Sequence, residues 1–118
     1  MVLIRPRSAS RFVEVLPLEQ LADGAIVCAR VGHLDLLLIR SGEKVFACER
    51  ACPHEQADLS LGQVTEGRLR CPRHLASFDL ASGAISAGWP SRPLRRYPTK
   101  IAEGWICVDA AALEDNPR

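Results

Sequence analysis

Cys52-Pro53-His54 and Cys71-Pro72-Arg73-His74 are the two segments on which the reading of this chain turns. Each pairs a thiol with an imidazole, and 16 residues, 55–70, separate them. Structural zinc takes four N/S ligands, commonly paired as C-x2–4-C and H-x3–5-H. Here both pairs are mixed. With one residue between Cys52 and His54, both side chains reach a single small tetrahedral ion only with difficulty. The problem eases if the two ligands of each segment go to different metals. A 2Fe–2S cluster offers that arrangement: one iron takes Cys52 and Cys71, the other takes His54 and His74. A zinc-binding structural module stays the alternative, and colour separates the two, since the iron cluster is red-brown and zinc is colourless.

Charge sets the electronics of such a site. Two ferric ions, two sulfides and two thiolates are neutral together with neutral imidazoles, and one added electron leaves the cluster singly negative. An all-thiolate cluster begins doubly negative, so the same electron costs more Coulomb energy. Potentials of roughly −150 to +300 mV follow for the mixed set, against about −400 mV for plant-type ferredoxins.

The rest of the chain sets bounds. Its 118 residues make one domain, long enough for a modest core without a metal staple. A net charge of +1 gives no sign of nucleic-acid or acidic-membrane binding. No run approaches the ~18 apolar residues needed to cross a membrane. The early charges at Arg5 and Arg7 do not suit a signal peptide. A soluble cytoplasmic protein is expected. Five cysteines, an odd number, argue against a simple disulfide framework. Cys28 and Cys107 lie in apolar strand-like runs and read as small buried hydrophobes. Cys48, four residues before Cys52, is a possible third ligand but reads as strand filler. His33, in a turn, reads as solvent-exposed.

Along the chain, strands are expected at Phe12–Val15, Ala25–Val31, Leu34–Arg40, Val45–Cys48, Leu61–Val64, Arg68–Cys71, Ser77–Leu80, Ala84–Ser86, Leu94–Tyr97, Lys100 onward and Trp105–Val108. One helical turn is expected at Pro17–Leu21, and frayed ends at residues 1–10 and 110–118. Many short strands with glycine turns predict an all-β sandwich or barrel.

From about Phe12 to Asp109 the chain resembles the Rieske ferredoxins, small electron carriers of bacterial ring-hydroxylating dioxygenase systems. The resemblance rests on Cys52-Pro53-His54 with Ala57-Asp58-Leu59-Ser60 and Gly62, and on Cys71-Pro72-Arg73-His74 with Phe78-Asp79-Leu80 and Ser82-Gly83. Pro90, Pro93-Leu94, Tyr97 and Gly104-Trp105-Ile106-Cys107-Val108 extend it. It implies an all-β Rieske fold in one domain, an antiparallel β-sandwich with a basal part (about 11–47 and 91–109) and an inserted cluster-binding part (about 48–90). Pro90 would lie in a loop over the cluster. It also implies a Rieske-type [2Fe–2S] cluster held by Cys52, His54, Cys71 and His74. The expected partners are a flavin-dependent ferredoxin reductase and a terminal oxygenase of aromatic hydrocarbon catabolism, with the carrier a monomer.

The departures set the subtype. Where the family usually has Gly two residues after the first His, this chain has Gln56, and where it usually has Gly, or sometimes another small or apolar residue, after the second His, this chain has Leu75. Respiratory Rieske proteins carry a disulfide between the loops, and the matching positions here are Ala57 and Arg73. Those proteins also use a Ser and a Tyr hydroxyl to hydrogen-bond the sulfurs, where this chain has Ala76 and Phe78. Fewer donors predict a potential near the low end, about −150 mV. An oxygenase catalytic subunit would need a mononuclear iron held by two His and a carboxylate. Only His33 remains, so the chain reads as a carrier and not an enzyme. A small subunit resembling those of nitrite reductases is the alternative. Docking is expected at the histidine edge, near Arg73, Arg92, Arg95, Arg96, Glu55 and Asp58, with Trp89 as a loop anchor.

Overall fold

The computed structural model describes residues 12–53, 56–72, 76–88 and 91–109. Their strands are β1 (Phe12–Pro17), β2 (Ile26–Val31), β3 (Leu34–Ser41), β4 (Lys44–Glu49), β5 (Gln63–Thr65), β6 (Arg68–Arg70), β7 (Ser77–Asp79), β8 (Arg96–Tyr97), β9 (Thr99–Ala102) and β10 (Trp105–Asp109). They form three antiparallel sheets, ordered β1-β10-β9, β2-β3-β4-β8 and β5-β6-β7. The all-β expectation is met.

β3 explains how the sheets stack. Leu36, Leu37, Leu38 and Ile39 are all fully buried. Neighbouring strand side chains point to opposite faces. Leu37 and Ile39 join a core with Cys52, Leu59, Leu69, Cys71 and Phe78. Leu36 and Leu38 join a second core with Leu21, Ala47, Tyr97, Ile106 and Val108. The four-stranded sheet is therefore a wall shared by two cores, and so β3 reads as an unbroken apolar run and not an alternating one. Burying each of these side chains stabilises the fold by about 1.5–3 kcal/mol.

The chain leaves this sheet after β4 and returns in β8, where Ala47 pairs with Tyr97 and Cys48 with Arg96. The small β5-β6-β7 sheet lies on the excursion between them.

Three expectations are corrected. Leu61-Gly62 is not strand: Leu59–Leu61 is a 3-10 turn capped by Asp58, and β5 begins at Gln63. Gly62 lies so close to the Arg70 carbonyl that a Cβ there would collide with it. Ala84–Ser86 makes a single bridge, Ile85 to Phe78, instead of a strand. Cys28 is exposed. It pairs with Leu37, but β2 is the outer strand of its sheet, and its position on an apolar run does not bury it. Cys107 is buried as expected, and His33 is exposed in the β2–β3 turn. The expected frayed ends, Trp89 and Pro90 lie outside the described residues.

Candidate metal centre

Cys52 lies three residues beyond β4, and Cys71 directly follows β6. Their relative exposures are 0% and 2%, and both sit in the core between the four-stranded sheet and the small sheet. The two segments close in the same way. The Cys52 N–H donates to the Ala57 carbonyl at 2.8 Å, and the Cys71 N–H donates to the Ala76 carbonyl at 3.0 Å. Each is thus a six-residue loop that begins Cys-Pro and ends in a buried Ala.

The base of the first loop is fastened by Arg50 and Asp58. Ala51 and Asp58 form a bridge, and the Leu59 N–H donates to the Arg50 carbonyl at 2.8 Å. The Arg50 guanidinium grips the Asp58 carboxylate at both oxygens, at 3.0 and 2.9 Å. The Ser60 N–H and hydroxyl add bonds of 3.0 and 2.7 Å to Asp58 Oδ1. The Arg50 hydrogen bond first, then those of Ser60, hold the Asp58 carboxyl well below the usual carboxylate range. Asp58 in turn pushes the Arg50 guanidinium further up. Asp58 and Arg92, expected on a docking rim, are both engaged within the chain: Arg92 is bound by Glu49. Neither Arg50 nor Glu49 was expected from the sequence. Asp58-Leu59-Ser60 is a recognisable Asx-turn signal, but charges paired across 43 residues leave no local pattern.

The second loop is backed by Arg68, whose Nε donates to Ser77 Oγ at 2.7 Å and whose Nη2 donates to the Ser77 carbonyl at 3.1 Å. The buried Ser77 N–H donates to Ser86 Oγ at 3.1 Å.

Cys48 shares the same core, on β4. Burial first, then the Glu49 charge, push its thiol up to about 12. Cys48 lies on the strand itself, opposite Leu37 and Arg96, and outside both six-residue loops. His54 and His74 lie outside the described residues. Among those described, no set of three or more His, Cys, Asp or Glu side chains is grouped to hold a metal ion. What the structure brings together is Cys52 and Cys71, buried in one core on matching loops. That fits the two-thiolate half of the donor set.

Comparison with known proteins agrees. The family model described as "Rieske [2Fe-2S] domain" matches residues 11–98. The anthranilate 1,2-dioxygenase ferredoxin subunit of Burkholderia cepacia is 35% identical over 82 residues, 69% of this chain and 76% of that protein. The Sphingomonas yanoikuyae B1 ferredoxin structure superposes with a TM-score of 0.76 at 29% identity, covering 83% of this chain and 97% of that one. A chain in the complex of reduced oxygenase and oxidized ferredoxin of carbazole 1,9a-dioxygenase gives 0.76 at 27%, covering 84% and 93%. With two buried cysteines on paired loops and this match over most of its length, the chain belongs to the Rieske [2Fe–2S] domain family.

Proposed function

We propose that the chain is a one-electron carrier in which Cys52 and Cys71 hold one iron of a Rieske-type cluster and His54 and His74 hold the other. It takes electrons from a flavin-dependent reductase and delivers them to a terminal oxygenase of aromatic catabolism, as a cytoplasmic monomer. Residues 48–90 form its cluster-binding part, and about 11–47 with 91–109 form its base. The cluster supplies acceptance and release of single electrons. The chain's own contribution is to hold two thiolates in a dry core and to keep both loops rigid through Arg50, Asp58, Arg68 and Ser77.

The burial of Cys52 and Cys71 in a single core carries this reading. A carrier is favoured over a catalyst because the histidine supply is spent on the cluster. His33, the one left over, stands exposed on a hairpin turn. Relatives described as ferredoxin components of anthranilate and naphthalene dioxygenase systems support the same role. The carbazole oxygenase–ferredoxin complex supports an oxygenase as the acceptor.

The test is reconstitution. The purified red-brown protein is mixed with a flavin-dependent ferredoxin reductase and its electron donor, and bleaching of the cluster is followed. A Rieske aromatic-ring oxygenase and its substrate are then added. Product that depends on the chain is expected. A colourless protein carrying zinc, or a cluster that no such reductase bleaches, overturns the reading.

A further inference from the structure

Glu49 is the last residue of β4, three positions before Cys52. Its carboxylate takes Arg92 Nη1 at 2.7 Å and Nη2 at 2.8 Å, one on each oxygen. A third donor, the Arg95 backbone N–H, reaches Oε2 at 2.7 Å. Glu49 also donates its own N–H to the Arg95 carbonyl at 3.1 Å. Ordinary surface ion pairs contribute little. This one differs, because the Glu49 side chain is only 13% exposed and a bidentate fork is joined by a backbone donor.

What the contact secures lies between its two arms. Leu94 is 3% exposed and packs in the core that contains Cys52 and Cys71. Its N–H donates to the Gly83 carbonyl at 2.8 Å, in the turn after β7. Gly83, at φ +83°, permits that approach: a Cβ there would stand 2.6 Å from the Leu94 carbonyl oxygen. The segment is therefore pinned from one side by β4 and from the other by the small sheet's own turn.

We propose that Glu49 is a positioning residue of the electron-transfer site: its carboxylate clasps residues 92–95 so that Leu94 seals the core holding the Cys52 and Cys71 sulfurs against water. This rests on the assignment of those two cysteines as ligands. A site that gains negative charge on reduction is reduced more easily when water reaches it, because a higher permittivity stabilises the added charge. Opening the clasp thus raises the potential.

Two neutralising substitutions separate the clasp from simple Coulomb action. Through space alone, losing the negative Glu49 raises the potential and losing the positive Arg92 lowers it. Through the clasp, Glu49→Gln and Arg92→Gln both raise it. Leu94→Ala, which changes no charge, raises it as well. The potentials are read by protein-film voltammetry on the cluster-loaded protein, with hydrogen exchange at the Leu94 amide and the rate of iron loss to a chelator measured alongside. Expected are three upward shifts, faster Leu94 exchange in both clasp variants, and iron loss faster by about tenfold, the scale of one lost charge-assisted bond. Opposite shifts for Glu49→Gln and Arg92→Gln, or three unchanged potentials, overturn the clasp while leaving the ligands standing. A wild-type protein without the visible absorption of an iron–sulfur cluster overturns the ligand assignment and the clasp together.

Discussion

The Gln56 N–H closes back onto the Cys52 carbonyl at 2.6 Å, and this tight turn leaves Gln56 in the left-handed region at φ +66°. A side chain in this conformation costs about 1–2 kcal/mol, of which glycine gives part back as extra freedom of the unfolded chain. Because Gln56 is exposed, its replacement removes no core contact. Gln56→Gly is expected to stabilise the cluster-loaded protein by about 0.5 kcal/mol, and Gln56→Val to destabilise it by about 1 kcal/mol. Denaturant unfolding followed by far-UV circular dichroism checks both signs.

The three core cysteines are expected to part company on substitution. Cys52→Ala and Cys71→Ala abolish iron binding, since each removes a thiolate from the proposed donor set. Cys48→Ala keeps the full iron content and the visible spectrum, and costs only about 1 kcal/mol for the small cavity left in a packed core. Iron analysis of the three purified variants decides it. Loss of iron in Cys48→Ala would make that thiol a ligand after all.

Phe78 is fully buried in the core with both cysteines, and Ala76 closes the second loop. Neither side chain carries a donor. A potential of about −150 mV, the low end for this cluster type, is expected. Phe78→Tyr and Ala76→Ser, which place hydroxyls in that core, are expected to raise it by on the order of tens of millivolts. Protein-film voltammetry checks the series, and a wild-type value above about +100 mV contradicts it.

Asp58 fastens the first loop only while ionised. Its carboxyl is held below its ordinary value, so the stabilisation is present in full above about pH 4 and fades as pH falls toward the depressed value. Asp58→Asn is expected to melt a few degrees below wild type, about 3 °C, at pH 7. The gap narrows below about pH 4, because the unfolded chain's carboxyl then takes up a proton that the folded carboxyl refuses until the depressed value is reached. Thermal unfolding across that range measures it. A gap that stays constant with pH would show that the charge contributes nothing.

The readability of this chain follows the range of its interactions. Strand alternation, glycine turns and the Cys-His segments are local signals, and they placed nearly every strand as well as Cys52 and Cys71. Gly62 was noted as matching a family pattern. Its reason, the carbonyl of Arg70 crowding where a side chain would stand, needed the small sheet to be assembled. Cys28 misled because an apolar run is the same whether its strand is central or outermost. The Glu49–Arg92 pair was illegible because charged residues 43 positions apart carry no periodic mark. Leu61-Gly62 carries a strand-like pattern, but the Asp58 side chain caps Leu59–Leu61 as a 3-10 turn.

The pairing of β4 with β8 has a consequence for how such a chain can change. The excursion begins at Glu49 and ends at Arg95, and the Glu49 N–H is bonded to the Arg95 carbonyl, so its two ends lie side by side. For the four-stranded sheet, everything between is a single long hairpin connection. The entropy of closing such a connection grows only with the logarithm of its length. Residues added to or removed from its outer turns leave the register of β3, β4 and β8 untouched. The sheet serves as a socket, and the excursion is a module that can be lengthened, shortened or exchanged while the socket keeps its shape.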